Sequence, residues 1–205
     1  MRPLIKLFIL GFFLSTLPLA VNAESVTPQQ VLWIETFDHE DIPKSIGTWE
    51  HNVLDSNQGI KIELVDQDAA GKKGGKSLAL HFDVDSSNPA MVGCWIKLEN
   101  QDLSAFDTLH FSLKSGDGGH FRGSVAVQFT DSGYRKAAYL ISQIKDEWKE
   151  YRIPLKKFPR ISDWSGIQDF EIIIDDINAN PKEGTLLVDE IYLSSSIKAE
   201  AGFNR

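Results

Sequence analysis

Apolar and polar residues alternate with a period of two along most of the chain, the spacing of a strand with one face buried. Leu78, Leu80, Phe82 and Val84 share one face of the first clear run, with His81, Asp83 and Asp85 opposite. Val92, Cys94, Ile96 and Leu98 repeat the pattern against Trp95, Lys97 and Glu99. Leu109, Phe111 and Leu113 alternate with His110, Ser112 and Lys114, and Val125, Val127 and Phe129 with Ser124, Ala126 and Gln128. Later runs at 135–142, 148–155, 169–176 and 185–193 are rich in β-branched and aromatic residues. Asp131-Ser132-Gly133, Asn180-Pro181 and the 116–119 loop punctuate them as turns. Helical turns are expected only at 102–106 and 162–167. About ten strands with one apolar face each call for an all-β protein of two sheets packed face to face. Its core is expected to hold Leu80, Phe82, Val84, Cys94, Ile96, Phe111, Val127 and Ile174.

The N-terminus breaks this pattern. Arg2 and Lys6 are the only charges before Glu24, and the apolar run from Leu7 to Val21 ends in Val21-Asn22-Ala23. Residues 1–23 read as a secretory signal peptide cleaved after Ala23. The run is too short and too poorly flanked for a spanning helix, so the mature chain is expected in the periplasm or outside the cell, not embedded in a membrane. One domain then covers 24–195, and residues 196–205 lose the alternation and read as a flexible tail. The chain carries 21 Lys and Arg against 29 Asp and Glu, a formal charge of −8. Arg2 and Lys6 leave with the leader, so the mature charge becomes −10. So acidic a surface excludes non-specific nucleic-acid binding. The lone Cys94 alternates inward and reads as a small core residue rather than a nucleophile.

Four stretches together resemble a known family. They are Trp33-Ile34-Glu35-Thr36-Phe37-Asp38, Gly75-Lys76-Ser77-Leu78-Ala79-Leu80, Gly93-Cys94-Trp95-Ile96-Lys97-Leu98 running on to Phe106-Asp107-Thr108-Leu109-His110-Phe111, and Gly184-Thr185-Leu186-Leu187-Val188-Asp189-Glu190-Ile191. In this order they are similar to carbohydrate-binding module family 11 and the broader galactose-binding-like superfamily. The resemblance implies a two-sheet jelly-roll β-sandwich and an exported, non-catalytic module that binds a glycan or polysaccharide. The same superfamily includes modules that bind proteins, so the alternative is a structural or assembly protein turning this face to an envelope protein partner. It also implies structural calcium (Ca²⁺) where the first and last strands meet. Carried over by position, the ligands are Glu35, the carbonyl of Lys76 and Asp189, with Asp38 as a further candidate. A hard cation wants six to eight oxygens, and solvated strand ends are the alternative reading of these residues.

A sugar site needs aromatic faces for pyranose rings and planar polar groups for hydroxyls. If strands 91–99, 123–129, 134–142 and 169–176 share one concave sheet, it gathers Trp95, Lys97, Gln128, Arg135, Tyr139, Glu171 and Asp175. Trp95 is either a stacking platform or a residue covered by a loop. The phase of Tyr139 is ambiguous and favours the core. Trp33, Trp148 and Trp164 are expected to pack at the rim, and Trp49 to sit in a loop as an outside candidate for contact. A neutral, β-glucan-like chain is the expected ligand. Enzymatic readings find no support: the five histidines have no metal-ligand spacing, and no motif sets two carboxylates across a cleft. Gly71-Lys72-Lys73-Gly74-Gly75-Lys76-Ser77 falls short of a phosphate loop, because Ala70 stands where its first glycine belongs and a strand follows.

Overall fold

The computed structural model describes residues 30–69, 71, 73–116 and 121–196. The expected signal peptide and positions 197–205 of the expected tail lie outside the described residues. Eleven strands occur among the described residues: β1 Val31–Glu35, β2 Ile46–Glu50, β3 Gly59–Val65, β4 Ser77–Asp83, β5 Met91–Gln101, β6 Thr108–Ser115, β7 Phe121–Asp131, β8 Lys136–Ile144, β9 Lys149–Pro154, β10 Ile167–Asp175 and β11 Glu183–Ser194. They form two antiparallel sheets, one ordered β2-β5-β10-β7-β8 and the other β3-β4-β11-β6-β9 with β1 paired to β11. The expected all-β, two-sheet sandwich is what the chain builds.

The alternation sorts residues as expected. All eight residues named for the core are buried within one hydrophobic cluster. Beneath the first sheet, Phe129 meets Phe158, Trp164 and Phe170 at ring-centroid distances of 5.2, 5.3 and 5.2 Å. Edge-to-face and tilted contacts of this kind favour aromatic packing beyond area alone. Cys94 is buried, and desolvation pushes its thiol up to about 12, which leaves it protonated and inert.

The two expected helical turns do not form. Asp102 Oδ1 accepts the Ser104 N–H and Asp163 Oδ1 accepts the Ser165 N–H, so each side chain closes its own turn in competition with a helix. The single 3-10 turn among the described residues is Leu155–Lys157. Two strands were not legible: β2, in a stretch expected to be loop, and β3. Ser196, the first residue of the expected tail, is tied down, since its N–H donates to Asp107 Oδ2 at 2.6 Å.

Candidate functional site

Strands β5, β10, β7 and β8 are neighbours, so the four runs expected to share a sheet do so. Register then assigns the outward face. One row across the sheet reads Gly47, Trp95, Glu171, Gln128, Ala138. The row on one side reads Trp49, Gly93, Ile173, Ala126, Leu140, and the row on the other Lys97, Asp169, Thr130, Lys136. An aromatic-apolar band, a polar band and a charged band thus lie side by side.

The aromatic end is built by a reciprocal motif. Gly47-Thr48-Trp49 on β2 pairs antiparallel with Gly93-Cys94-Trp95 on β5, so each tryptophan stands opposite the other strand's glycine. A Cβ on Gly47 would come within 2.2 Å of the Trp95 ring, and one on Gly93 within 2.5 Å of the Trp49 ring. Only hydrogen in those positions lets both indoles lie down against the backbone, each half-buried. Trp49, Trp95, Lys97, Lys136, Asp169 and Glu171 line a groove of about 400 Å³.

Charges inside the groove pair with one another. Glu171 is 5% exposed and accepts hydrogen bonds from Trp49 Nε1 at 3.0 Å, Gln128 Nε2 at 3.1 Å, Thr130 Oγ1 at 3.3 Å and Lys136 Nζ at 3.4 Å. Asp169 is half-buried, and its carboxyl is pushed up by desolvation and by Glu171, with Lys97 and Lys136 pulling it back. The Lys97 ammonium sits 5.0 Å from the centroid of the Trp95 ring.

Of the residues expected at the site, Trp95, Lys97 and Glu171 line this groove and Gln128 supports its floor. The other three lie elsewhere. Tyr139 pairs with Val127 on the core-facing phase and packs on Phe158 at 6.3 Å, so the two-residue period turns it inward. Arg135 Nε donates to the buried Asp131 at 2.7 Å and closes the β7–β8 hairpin. Asp175 ends β10, where its Oδ1 accepts the Ile177 and Asn178 N–H groups at 3.0 and 2.8 Å. Sequence reasoning missed Asp169 and Lys136 as groove residues and held Trp49 only as an outside candidate, although the doubled Gly-x-Trp spelling was a usable signal for Trp49. Trp33, expected to pack at the rim, is 50% exposed.

The carboxylates expected as calcium ligands each have hydrogen-bond partners within the chain. Glu35 Oε1 accepts the Thr36 and Phe37 N–H groups, each at 2.8 Å, and faces His39 Nε2. Asp38 Oδ1 accepts the Lys76 N–H at 2.9 Å. Among the described residues, no three His, Cys, Asp or Glu side chains are arranged to hold a metal. Asp189 is different: it is 0% exposed and accepts the Ala69 and Glu190 N–H groups, each at 2.7 Å. Burial, helped by Asp68 and Glu190 and opposed by the two N–H groups, pushes its carboxyl up to about 7. One residue beyond the Val188–Leu78 pair, Ser77 Oγ is buried without a hydrogen-bond partner.

A family of carbohydrate-binding domains accounts for this fold. Its profile, carbohydrate binding domain 30, matches residues 42–195. The chain belongs to that family. It is therefore a carbohydrate-binding module, and the fold is shared more widely. The family 11 carbohydrate-binding module of the cellulosomal cellulase Lic26A-Cel5E of Clostridium thermocellum superposes with a TM-score of 0.59 at 17% identity, covering 86% of this chain and 99% of that one. A Clostridium thermocellum family 11 module in complex with a β-1,3-1,4-mixed-linked tetrasaccharide gives 0.59 at 18% identity, over 83% and 97%. A β-1,2-glucanase from Parabacteroides distasonis gives 0.58 at 14% identity, over 80% of this chain and 24% of that one. No curated protein matches this chain. No helix among the described residues is long and apolar enough to cross a membrane.

Proposed function

We propose that the groove on the β2-β5-β10-β7-β8 sheet binds a linear, neutral β-glucan and turns nothing over. The observation that carries this reading is the pair of indoles, Trp49 and Trp95, laid flat over Gly93 and Gly47. A pyranose presents an apolar face of C–H groups to such a ring, while Lys97 and Asp169 beside it offer a donor and an acceptor for hydroxyls. The mixed-linked tetrasaccharide held by the family 11 relative supports the ligand class. Glu171 is buried among its own hydrogen-bond donors, which removes one of the two carboxylates a glycosidase would need. The apolar leader with its Val21-Asn22-Ala23 end supports export to the periplasm or beyond.

Calcium, if bound, belongs on the opposite sheet. Asp189 has the burial and the neighbouring carboxylates for it, with Asp68 and Ser77 Oγ as companions. The ion would supply positive charge beside Ala69 and take no part in sugar contact.

A glycan array run on residues 24–205, with and without calcium, tests both statements. Binding confined to β-glucans, lost in Trp95→Ala, is the expected result. Capture of an envelope protein without any glycan signal, or release of reducing sugar, overturns it. EDTA should lower the melting temperature, and Asp189→Ala should remove that sensitivity; an unchanged melt rejects the ion.

A further inference from the structure

We propose that Glu171 is a positioning residue that holds the Trp49 indole in the groove, and that Asp169 is the carboxylate left to meet sugar hydroxyls. The affinity part rests on the glycan-binding reading above, whereas the positioning part rests on geometry alone. Trp49 projects from β2, at one edge of its sheet, and must cross β5 to reach β10. Gly93 leaves the space for that crossing, but an empty space does not choose a tilt. The choice is made by the hydrogen bond from Trp49 Nε1 to Glu171 Oε2 at 3.0 Å, a charged acceptor on the far side.

Glu171 is itself immobilised. Its Oε1 receives Gln128 and Thr130 from β7 and Lys136 from β8, so one carboxylate joins four strands of the sheet. An ionised carboxylate has about four acceptor positions, two on each oxygen, and here three donors share Oε1 while Trp49 takes one position on Oε2. At 5% exposure it is closed off from a ligand by those neighbours. Asp169 stands one cross-strand row away and contrasts at each point. It is half-buried, lines the same groove, and makes no hydrogen bond with the chain among the described residues. Lys97 and Lys136 lie near enough to influence its charge, yet neither forms an ion pair with it.

Two measurements on the mature chain decide the matter: the Trp49 indole N–H signal by NMR, and affinity for a mixed-linked glucan by calorimetry. Glu171→Gln should shift the Trp49 Nε1–H resonance, speed its exchange with solvent, and weaken binding roughly tenfold, about 1.4 kcal/mol. Trp49→Phe keeps a flat ring without the N–H and should lose a similar amount. In that background Glu171→Gln should cost no further affinity, because the bond it would break is already gone. Asp169→Ala should cost roughly tenfold in both backgrounds. An unmoved Trp49 resonance, or an equal loss from Glu171→Gln with and without the Trp49 N–H, overturns the positioning role. Unchanged affinity in Asp169→Ala overturns the role of Asp169. If Glu171→Gln fails to fold, wild-type exchange decides: an indole N–H exchanging as fast as a free one rejects the bond. If wild type binds no glucan, the proposed function falls, and the resonance still judges Glu171.

Discussion

The two outward sheet faces use similar residues to opposite ends. On the groove face, Trp49 and Trp95 lie over glycines and turn their rings to solvent. On the β3-β4-β11-β6-β9 face, a cross-strand row of Trp33, Tyr192, His110 and Arg152 packs ring against ring. Tyr192 and His110 stack at 4.4 Å and 6° between planes, and Trp33 lies 4.8 Å from Tyr192. Each face also has one carboxylate that collects donors. Glu171 anchors an indole, while Glu150 accepts Tyr192 Oη at 2.7 Å and Arg152 Nη2 at 2.6 Å and faces His110 Nδ1 at 3.2 Å. The difference lies in what stands opposite each ring. A glycine across the strand lets an indole lie flat and available, whereas an aromatic neighbour consumes the ring face in stacking. Aromatic residues on a sheet therefore make a platform only when their partners are small.

The strongest way to break this contrast is to remove the support beneath the groove. Phe129, fully buried among Phe158, Trp164 and Phe170, is expected to cost about 3–5 kcal/mol when replaced by alanine. Chemical denaturation measures it, and a cost under 1 kcal/mol would show that the aromatic cluster is dispensable. Next come the paired platform variants. Trp95→Ala should weaken glucan binding about thirtyfold, roughly 2 kcal/mol, with the melt nearly intact. Tyr192→Ala should do the reverse, lowering the melt and leaving affinity unchanged. If both variants lose affinity equally, the two faces are not distinct.

Gly47→Val sharpens the comparison without touching an aromatic residue. Its side chain would begin 2.2 Å from the Trp95 ring, so the indole must lift from the sheet. Binding should weaken about tenfold, read by calorimetry alongside a change in tryptophan fluorescence. Unchanged affinity would mean that the flat pose is not the bound pose. A separate effect is expected from pH on the opposite face. The Asp189 carboxyl is raised to about 7 in the folded chain, whereas an unfolded one releases its proton near pH ~4. Between those values the folded state holds the extra proton, so stability falls as pH rises through this window and levels off above it. In EDTA the melt should be higher at pH 5 than at pH 8, and Asp189→Asn should flatten that difference.

Much of the fold was legible because a period of two is a local property. Cys94 between Gly93 and Trp95 could be placed inside from its neighbours alone, and the structure buries it. Tyr139 was harder, since Ala137, Ala138, Tyr139 and Leu140 give almost no polar contrast. The structure settles its phase through pairing with Val127. β2 was read as loop because its five residues include Gly47 and Thr48 and follow Pro43, which look like punctuation. Arg135 and Asp175 were placed on strands by pattern, yet both serve turns at strand ends, where a side chain bonds local backbone or a neighbouring acid.

Alone, the sequence determined most of the strands, though not β2 or β3, the inward phase of the core and the outward phase of Trp95, Lys97, Gln128 and Glu171. Each of these follows from contrast between adjacent residues. Tertiary structure decided which outward residues meet. Only the antiparallel register of β2 on β5 sets Gly47 under Trp95 and Gly93 under Trp49, and only β10 beside β5 brings Glu171 within reach of the Trp49 indole. Those partners are 44 to 122 residues apart in the chain, and strand pairing over such separations is a choice among competing registers that no local alternation encodes.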